Sequence, residues 1–375
     1  FISGDGATGV SAANVAAIAS DVSLISAFAG AVSISAALGG AAGVSISVGA
    51  AIARNDIGNQ VQAYIINADT GVRATTGDIT IAADEAASIL VYTAAASLAL
   101  GIGGTAGIAV SGAGADAANF VHAAVRAYAD ASILTAADDV IVDAKNDSSI
   151  NSSVFAASVA VGVGGTAGVG ASIGVALARN FIGWTVAPTS TTYTSGQTGV
   201  ALNTNQTVRI AAGVRQNEAY RYVGTNRTDI DLRKEDYGNQ RIWKRIDLTS
   251  TNSEVTARLN GTKVNAVGDL SVTSKSNEKI NANVFAGSVA AAGGLVGVAL
   301  SGAGASTENR SATNVTAEIV SSSGTGIIAG LIFVQAMDTS IINANTGAAS
   351  ISAGFGAVGV ALSVGVSLAY NEIDN

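Results

Sequence analysis

Hydrophobic residues alternate with small residues over long stretches of this chain. From Val169 to Ala178, every second position carries Val, Ala, Ile, Val and Leu, and the positions between them carry Gly, Ser and Ala. The same alternation runs from Val358 to Ala369. A period of two residues is typical of a β-strand, because successive side chains point to opposite faces. The pattern therefore predicts an all-β chain.

The two faces of these predicted strands differ in size. One face is aliphatic, and burial of apolar surface is favourable, so we expect this face to lie in the core. The other face is made of Gly, Ser and Ala, which are too small to fill the usual spacing of ~10 Å between packed sheets. We expect the small face either to approach a neighbouring layer unusually closely or to lie beside water.

A glycine turn recurs along the chain and is followed sixteen residues later by an asparagine. Successive copies lie 64, 61, 129 and about 62 residues apart, and the interval of 129 is best interpreted as one period plus an insertion. A glycine pair between two strands suits a tight hairpin, where positive φ is needed. The asparagines are expected to hold turns or to form a stacked ladder. The turn glycines are Gly39, Gly40, Gly103, Gly104, Gly164, Gly165, Gly293 and Gly294, and the asparagines are Asn55, Asn119, Asn180, Asn309 and Asn371.

These periods predict a β-solenoid-like stack of long hairpins with five ~62-residue repeats and one inserted lobe. The expected boundaries are the end of a preceding repeat at 1–20, then repeats at 21–84, 85–145, 146–275, 276–336 and, in part, 337–375. Both ends fall inside a repeat and nearly in register. We therefore expect a segment of a longer array, or a subunit that stacks head to tail.

The insertion, 184–253, has a different composition from the rest of the chain. It contains both tryptophans and four of the eight tyrosines. Its nine basic and six acidic residues give it a net charge of +3, whereas the net charge of the whole chain is −8. Two interpretations of the insertion stay open: it is a recognition lobe, or it is a surface loop whose aromatic residues fill a small core of their own. The candidate interaction residues are Trp184, Tyr193, Tyr220, Tyr222, Arg233, Tyr237, Arg241 and Trp243.

Composition and sequence motifs exclude or disfavour several other functions. The chain has no cysteine, which excludes disulfides and thiolate chemistry, and its net negative charge argues against nucleic-acid binding. The lone histidine, His122, supports no catalytic triad, so we expect no enzyme activity and no cofactor. Asp138, Asp139 and Asp143 could ligate calcium, but the glycine-rich nonapeptide of calcium-binding β-rolls is absent, and solvated turn carboxylates are the preferred interpretation.

The uncharged stretches, such as Val22 to Ala53, exceed the ~20 residues of a membrane-spanning helix. Strict alternation and central glycine pairs argue against such helices, and the aromatic girdles of membrane strands are missing. We therefore expect no membrane span.

The repeats resemble those of very large bacterial secreted adhesins of the leukotoxin-type and filamentous-haemagglutinin-like families. The resemblance rests on runs such as Gly165 to Ser172 closing in Arg179-Asn180, Val61 to Ile65, and Gly77 to Ile81. It implies an exported bacterial molecule at the cell surface. The leading hypothesis is a structural repeat of an extracellular filament that binds copies of itself. The second is an adhesin whose insertion binds glycan or a partner protein, and the third is a membrane-embedded toxin.

Overall fold

In the computed structural model, which describes residues 1–186, 190–212, 215, 218–239, 241–320 and 326–374, the chain is nearly all β and its main sheets are parallel. It divides into two compact units. The solenoid unit is Phe1–Gly183 with Asn252–Asn375, and the inserted unit is Trp184–Thr251. Among the described residues, no helix has the length and apolarity needed to cross a membrane.

The strands before the insertion are β1 (Ile2–Ser3), β2 (Val10–Ala12), β3 (Val15–Asp21), β4 (Leu24–Gly39), β5 (Ala42–Ile66), β6 (Val72–Ala74), β7 (Ile79–Glu85), β8 (Ser88–Gly103), β9 (Ala106–Asp130), β10 (Ile133–Ala136), β11 (Val140–Asn146), β12 (Ser149–Gly164) and β13 (Ala167–Ile182). The inserted unit contains β14 (Trp184–Val186), β15 (Tyr193–Thr194), β16 (Val200–Leu202), β17 (Thr207–Arg209), β18 (Ala219–Tyr222), β19 (Arg227–Ile230), a 3₁₀ turn (Leu232–Lys234), β20 (Trp243–Arg245) and β21 (Leu248–Ser250). After it come β22 (Ser253–Asn260), β23 (Lys263–Ala266), β24 (Leu270–Ser276), β25 (Lys279–Gly293), β26 (Val296–Val320), β27 (Ile327–Ile328), β28 (Ile332–Asp338), β29 (Ile341–Phe355) and β30 (Val358–Asp374).

Each coil of the solenoid unit runs through four strands in order, and each strand pairs in parallel with its counterpart in the next coil. The short sheet is formed by β2, β6, β10, β23 and β27, and the middle sheet by β3, β7, β11, β24 and β28. The outgoing sheet is formed by β4, β8, β12, β25 and β29, and the return sheet by β1, β5, β9, β13, β22, β26 and β30.

The two long arms of a coil do not form a hydrogen-bonded hairpin, and that prediction is wrong. Strand β4 pairs with β8, and β5 pairs with β9, so the arms belong to two different sheets. The alternation with a period of two residues cannot distinguish a hairpin from this arrangement, because the strand is extended in both. The chain therefore folds as a solenoid with a turn between two sheets.

The insertion divides one return strand. Strand β13 ends with Ile182 opposite Val121, and β22 resumes with Glu254 opposite Ala124, both on β9. Gly183 leaves the ladder with a φ of 69°. The register of the solenoid thus continues across the interruption.

The core has two sections of different character. Where the short sheet, the middle sheet and the ends of the return strands meet, the interior is aliphatic, with Ile65, Ile79 and Leu134 fully buried. Where the outgoing and return strands face each other, the interior is mostly alanine, serine and glycine. We call the second section the blade; it comprises the outgoing strands, the glycine turns, which form its tip, and the return strands as far as the recurring asparagines.

Candidate interaction surface

The blade carries its aliphatic side chains on the outside, so the prediction that this face lies in the core is wrong. In the inner coils, Phe155 on β12 is 44% exposed, Ile173 on β13 is 60% exposed and Leu300 on β26 is 41% exposed. Their neighbours Ser158, Ser172 and Ser301 are buried. The large apolar residues of both arms thus form two outward faces.

Close approach of the two sheets explains why the small residues lie inside. A Cβ on Gly107 would lie 2.0 Å from the backbone oxygen of Val163, and one on Gly168 would lie 2.2 Å from that of Gly293. Both distances are well inside van der Waals contact. The expectation that the small face approaches a neighbouring layer is therefore confirmed for these positions, and aliphatic residues cannot occupy them.

Buried serines connect the two sheets along the axis of the stack. Each hydroxyl bonds the next across the interior, first on one sheet and then on the other. The donors and acceptors are Ser47 to Ser33 (2.9 Å), Ser97 to Ser47 (2.9 Å), Ser111 to Ser97 (2.8 Å), Ser158 to Ser111 (3.0 Å) and Ser172 to Ser158 (2.8 Å). The hydroxyls of these serines are thus satisfied inside the blade, as buried hydroxyls require.

The recurring asparagines lie within the return strands, so of their two expected roles the assignment to turns is wrong and the stacked ladder is confirmed. They form a ladder in which Asn55 donates to Asn119, Asn119 to Asn180, Asn180 to Asn309 and Asn309 to Asn371, at 2.7 to 2.8 Å. On β5 the aliphatic residues lie outside up to Ile52, and from Ile57 onward they lie inside. The ladder therefore marks the point where the hydrophobic pattern changes face.

The glycine pairs do lie at the turns of the tip, but for a different reason than predicted. Positive φ is not recorded at Gly39, Gly103 or Gly164. Instead, a Cβ on Gly39 would lie 1.9 Å from the backbone oxygen of Ala42, and one on Gly165 would lie 2.4 Å from that of Gly104. At Gly39 and Gly165, lack of space and not a left-handed backbone therefore requires glycine, whereas a Cβ on Gly40 would meet no atom within 4 Å.

Charged and aromatic side chains cluster at the base of the blade. Arg179 bonds Asp116 at 2.5 Å, and Arg310 reaches Glu372 at 2.9 Å. The guanidinium of Arg310 also lies 4.8 Å from the ring centre of Tyr370. Phe120 and Phe181 stack beside them, with ring centres 5.2 Å apart. From this row to the tip, the strands of the blade carry no charged residue.

Buried carboxyl groups lie at the same boundary, near the start of the outgoing strands. Glu278 is 1% exposed and accepts hydrogen bonds from Asn146 (2.8 Å), Ser311 (2.7 Å) and Thr313 (2.8 Å). Burial raises the pKa of Glu278 to about 7, against the lowering effect of the two hydroxyls. Burial also raises the pKa of Glu85, which accepts a hydrogen bond from Asn59 at 3.0 Å.

A shallow groove of about 900 Å³ crosses the outer face of the outgoing sheet. Phe28, Phe155 and Phe285 border it, and alanine and glycine form its floor. The groove is therefore a part of the apolar outer face and carries no group that could act in catalysis.

The inserted unit buries most of its candidate interaction residues. Tyr220, Tyr222 and Trp243 are 3%, 1% and 1% exposed, so assigning them as contact residues is wrong. Tyr193 and Tyr237 pack against the same cluster. The aromatic residues form the core of this small unit, because large apolar rings gain most by leaving water.

The remaining candidates are more accessible. Arg233 and Arg241 are exposed, although Arg233 forms two hydrogen bonds with Asp231, both at 2.9 Å. These bonds lower the pKa of Asp231 to about 2. Trp184 is half-buried in β14. The sole proline of the chain, Pro188, lies outside the described residues.

Three acidic residues converge on the corner between the short and middle sheets. Oxygens of Asp78, Asp138 and Asp139 lie within 4.8 Å of one another, whereas Asp143 is not part of the group. Asp78 accepts the backbone N–H of Asp139 at 3.0 Å, and Asp139 accepts that of Asp269 at 2.7 Å. These bonds between coils account for the positions of two of the three carboxylates.

No protein-family model, curated protein or solved structure matches this chain. The resemblance to adhesin repeats therefore stays a prediction from the residues quoted above.

Proposed function

We propose that this chain is a structural repeat section of an extracellular bacterial filament or surface fibre, without enzyme activity or a bound cofactor. The observation that supports the proposal is the in-register stack. Every strand of one coil serves as the hydrogen-bonding template for the next, and the asparagine and serine ladders repeat the same contacts along the axis. Such a repeat extends without changing its cross-section.

We further propose that the solenoid unit consists of five ~62-residue repeats, and that the inserted unit is a lobe added to the third. The pairing of β13 and β22 with one strand, β9, supports this division. Under this proposal the repeat boundaries are those expected from the sequence, with the lobe at 184–253.

Electron microscopy and fibre diffraction of the native material test the filament proposal. We expect long fibres with a reflection near ~4.8 Å along the fibre axis, because the coils stack by parallel β-pairing in that direction. Isolated short rods, or a 4.8 Å reflection perpendicular to the axis, would contradict it.

The second candidate is an adhesin whose inserted unit binds glycan or a partner protein. The specific observation in its favour is that this unit has a core of its own and presents exposed basic residues, including Arg233, Arg241 and Lys244. A chain lacking 184–253 should then keep its β-rich circular dichroism spectrum and lose attachment. Arg233→Ala with Arg241→Ala is the milder test, and unchanged attachment of both variants removes this candidate.

A further inference from the structure

The outer surface of the blade requires a partner that the filament proposal does not supply. In every coil the outgoing face exposes aliphatic and aromatic side chains and the return face exposes aliphatic ones, and contiguous apolar surface of this kind marks an interaction site. We propose that the blade inserts, tip first, into the hydrocarbon region of a lipid bilayer. The expectation of no membrane span rests on the alternation and glycine pairs, which argue against helices, and on the missing aromatic girdles; it leaves open a blade of paired strands with its aliphatic side chains outside.

Lipid fits the distribution of apolar surface. Phe155 lies on the outgoing face, Ile173 lies on the return face, and Leu38 beside the tip is 77% exposed. A protein partner covers one face at a time, whereas hydrocarbon surrounds both faces and the tip together. The fourteen residues preceding Arg54, from Gly40 onward, contain no charge on either face or at the turn.

Between neighbouring coils, the backbone of the blade also meets the condition that hydrocarbon imposes. The open edges at β4, β5, β29 and β30 are paired only by further coils, so this step rests on the proposed filament. Unpaired N–H and C=O groups are costly in a bilayer, so only structures that pair them internally enter it. Here the pairing continues through the tip: Gly104 donates to Gly39 (3.1 Å), Thr166 to Thr105 (2.9 Å) and Val296 to Thr166 (2.9 Å). The serine hydroxyls bond one another inside, away from the outer faces.

The length of the blade and the position of its charges define how deep it can enter. From Phe28, which lies near the base, to the tip at Gly40 the strand rises ~40 Å at ~3.3 Å per residue, which exceeds the ~30 Å of bilayer hydrocarbon. The ion pair of Arg179 with Asp116 marks the base. Tyr370, which is 39% exposed, lies in the same row, and tyrosine is enriched where membrane proteins meet the headgroups.

Site-specific fluorescence tests this directly, because the chain has no cysteine of its own. Single variants of the full chain, Phe155→Cys, Ile173→Cys and Val267→Cys, would each carry an environment-sensitive dye. Val267 is 79% exposed but lies in the turn between β23 and β24, away from the blade. The labelled chains are mixed with phosphatidylcholine vesicles that contain acyl-chain quenchers.

We expect quenching at 155 and 173 to exceed that at 267 by at least about threefold, with unchanged circular dichroism spectra. Flotation gives a second readout. Phe155→Lys with Ile173→Lys should reduce the fraction that floats with vesicles about tenfold relative to Val267→Lys. Two results would overturn the proposal. The first is the absence of acyl-chain quenching at 155 and 173. The second is that self-association already shields both dyes from water in lipid-free buffer and that adding vesicles does not change this shielding. The latter would assign the faces to a second copy of the chain.

Discussion

Replacing Glu278 by Gln gives a pH-dependent prediction whose size follows from the structure. The carboxyl is buried at the base of the blade and accepts three hydrogen bonds, from Asn146, Ser311 and Thr313. Its pKa rises from 4.5 to about 7 because burial disfavours the charged form. A glutamine amide can keep the contacts, since its oxygen accepts from Asn146 and Thr313 and its nitrogen donates to the Ser311 hydroxyl.

The direction of the change in stability with pH follows from which state of the chain, folded or unfolded, binds more protons. Below pH 4.5 the carboxyl is protonated in both the folded and the unfolded chain, and between pH 4.5 and about 7 only the folded chain retains the proton. The stability contributed by Glu278 is therefore complete at low pH and is lost as the pH rises through this window. At about 1.4 kcal/mol per pKa unit, the loss is on the order of 3 kcal/mol.

Urea unfolding followed by far-ultraviolet circular dichroism between pH 4 and 8 measures this effect. Both tryptophans lie in the inserted unit, so their fluorescence does not report on the solenoid unit. Relative to the parent chain, Glu278→Gln should gain ~3 kcal/mol in unfolding free energy between pH 4.5 and 8. A difference that stays constant over this range would refute the assignment of a buried, protonated carboxyl.

Glu254→Gln is the matched control with the opposite sign. Glu254 forms an ion pair with Arg126 of another coil, and this contact lowers its pKa. Its contribution is therefore present at neutral pH and is lost as the pH falls through the lowered pKa. The variant should be less stable than the parent chain at pH 7 and nearer to it at pH 3.

Three further substitutions, two of them paired with a control variant, test the interior. Asn180→Ala leaves the buried side-chain nitrogen of Asn119 without its acceptor, while the oxygen of Asn309 keeps its bond from Thr307, so urea unfolding should show a loss of about 1–3 kcal/mol. Gly107→Ala places a methyl group against backbone and should cost at least about 2 kcal/mol, whereas Gly114→Ala, where no atom lies within 4 Å, should be neutral or slightly stabilising; equal effects would contradict the close layering. Trp243→Ala should destabilise the inserted unit by about 3–5 kcal/mol while exposed Arg241→Ala changes it little, as monitored by the fluorescence of Trp184.

The sequence predicts the repeat and the strands because both depend on local pattern. The alternation around Ile173 and the interval between Asn119 and Asn180 are visible without a structure. The pairing of the arms is not, because β4 would show the same alternation whether its partner were β5 or β8. That choice depends on contacts between residues more than sixty positions apart.

The orientation of the blade escaped prediction for a physical reason. Burial of aliphatic residues is the rule for a chain in water, and it correctly places Val61 and Ile65 inside. The signal for the opposite orientation was present: the aliphatic residues change from even positions, such as Ile52, to odd ones, such as Ile57, on either side of Asn55. A continuous strand cannot turn its faces over, so such a shift means that one of the two stretches carries its aliphatic residues outside.

Likewise, composition alone could not divide the aromatic residues of the insertion into core and contact residues. Trp243 and Tyr222 lie 5.1 Å apart between ring centres because the insertion folds around them. Arg233 and Arg241 remain on the surface. A charged side chain is a better sequence indicator of exposure in so small a unit than a tryptophan or tyrosine.

The reactivity of thiols at two adjacent positions tests the inverted blade most directly. Ser172→Cys and Ile173→Cys would each introduce the only cysteine of the chain, at positions that are 1% and 60% exposed. With a water-soluble maleimide and lipid-free protein, the thiol at 173 should react at nearly the rate of the urea-unfolded chain. The thiol at 172 should react about a hundredfold more slowly, because it is reached only when the stack opens. Faster reaction at 172 than at 173 would show that the aliphatic face is buried after all, and would contradict the account.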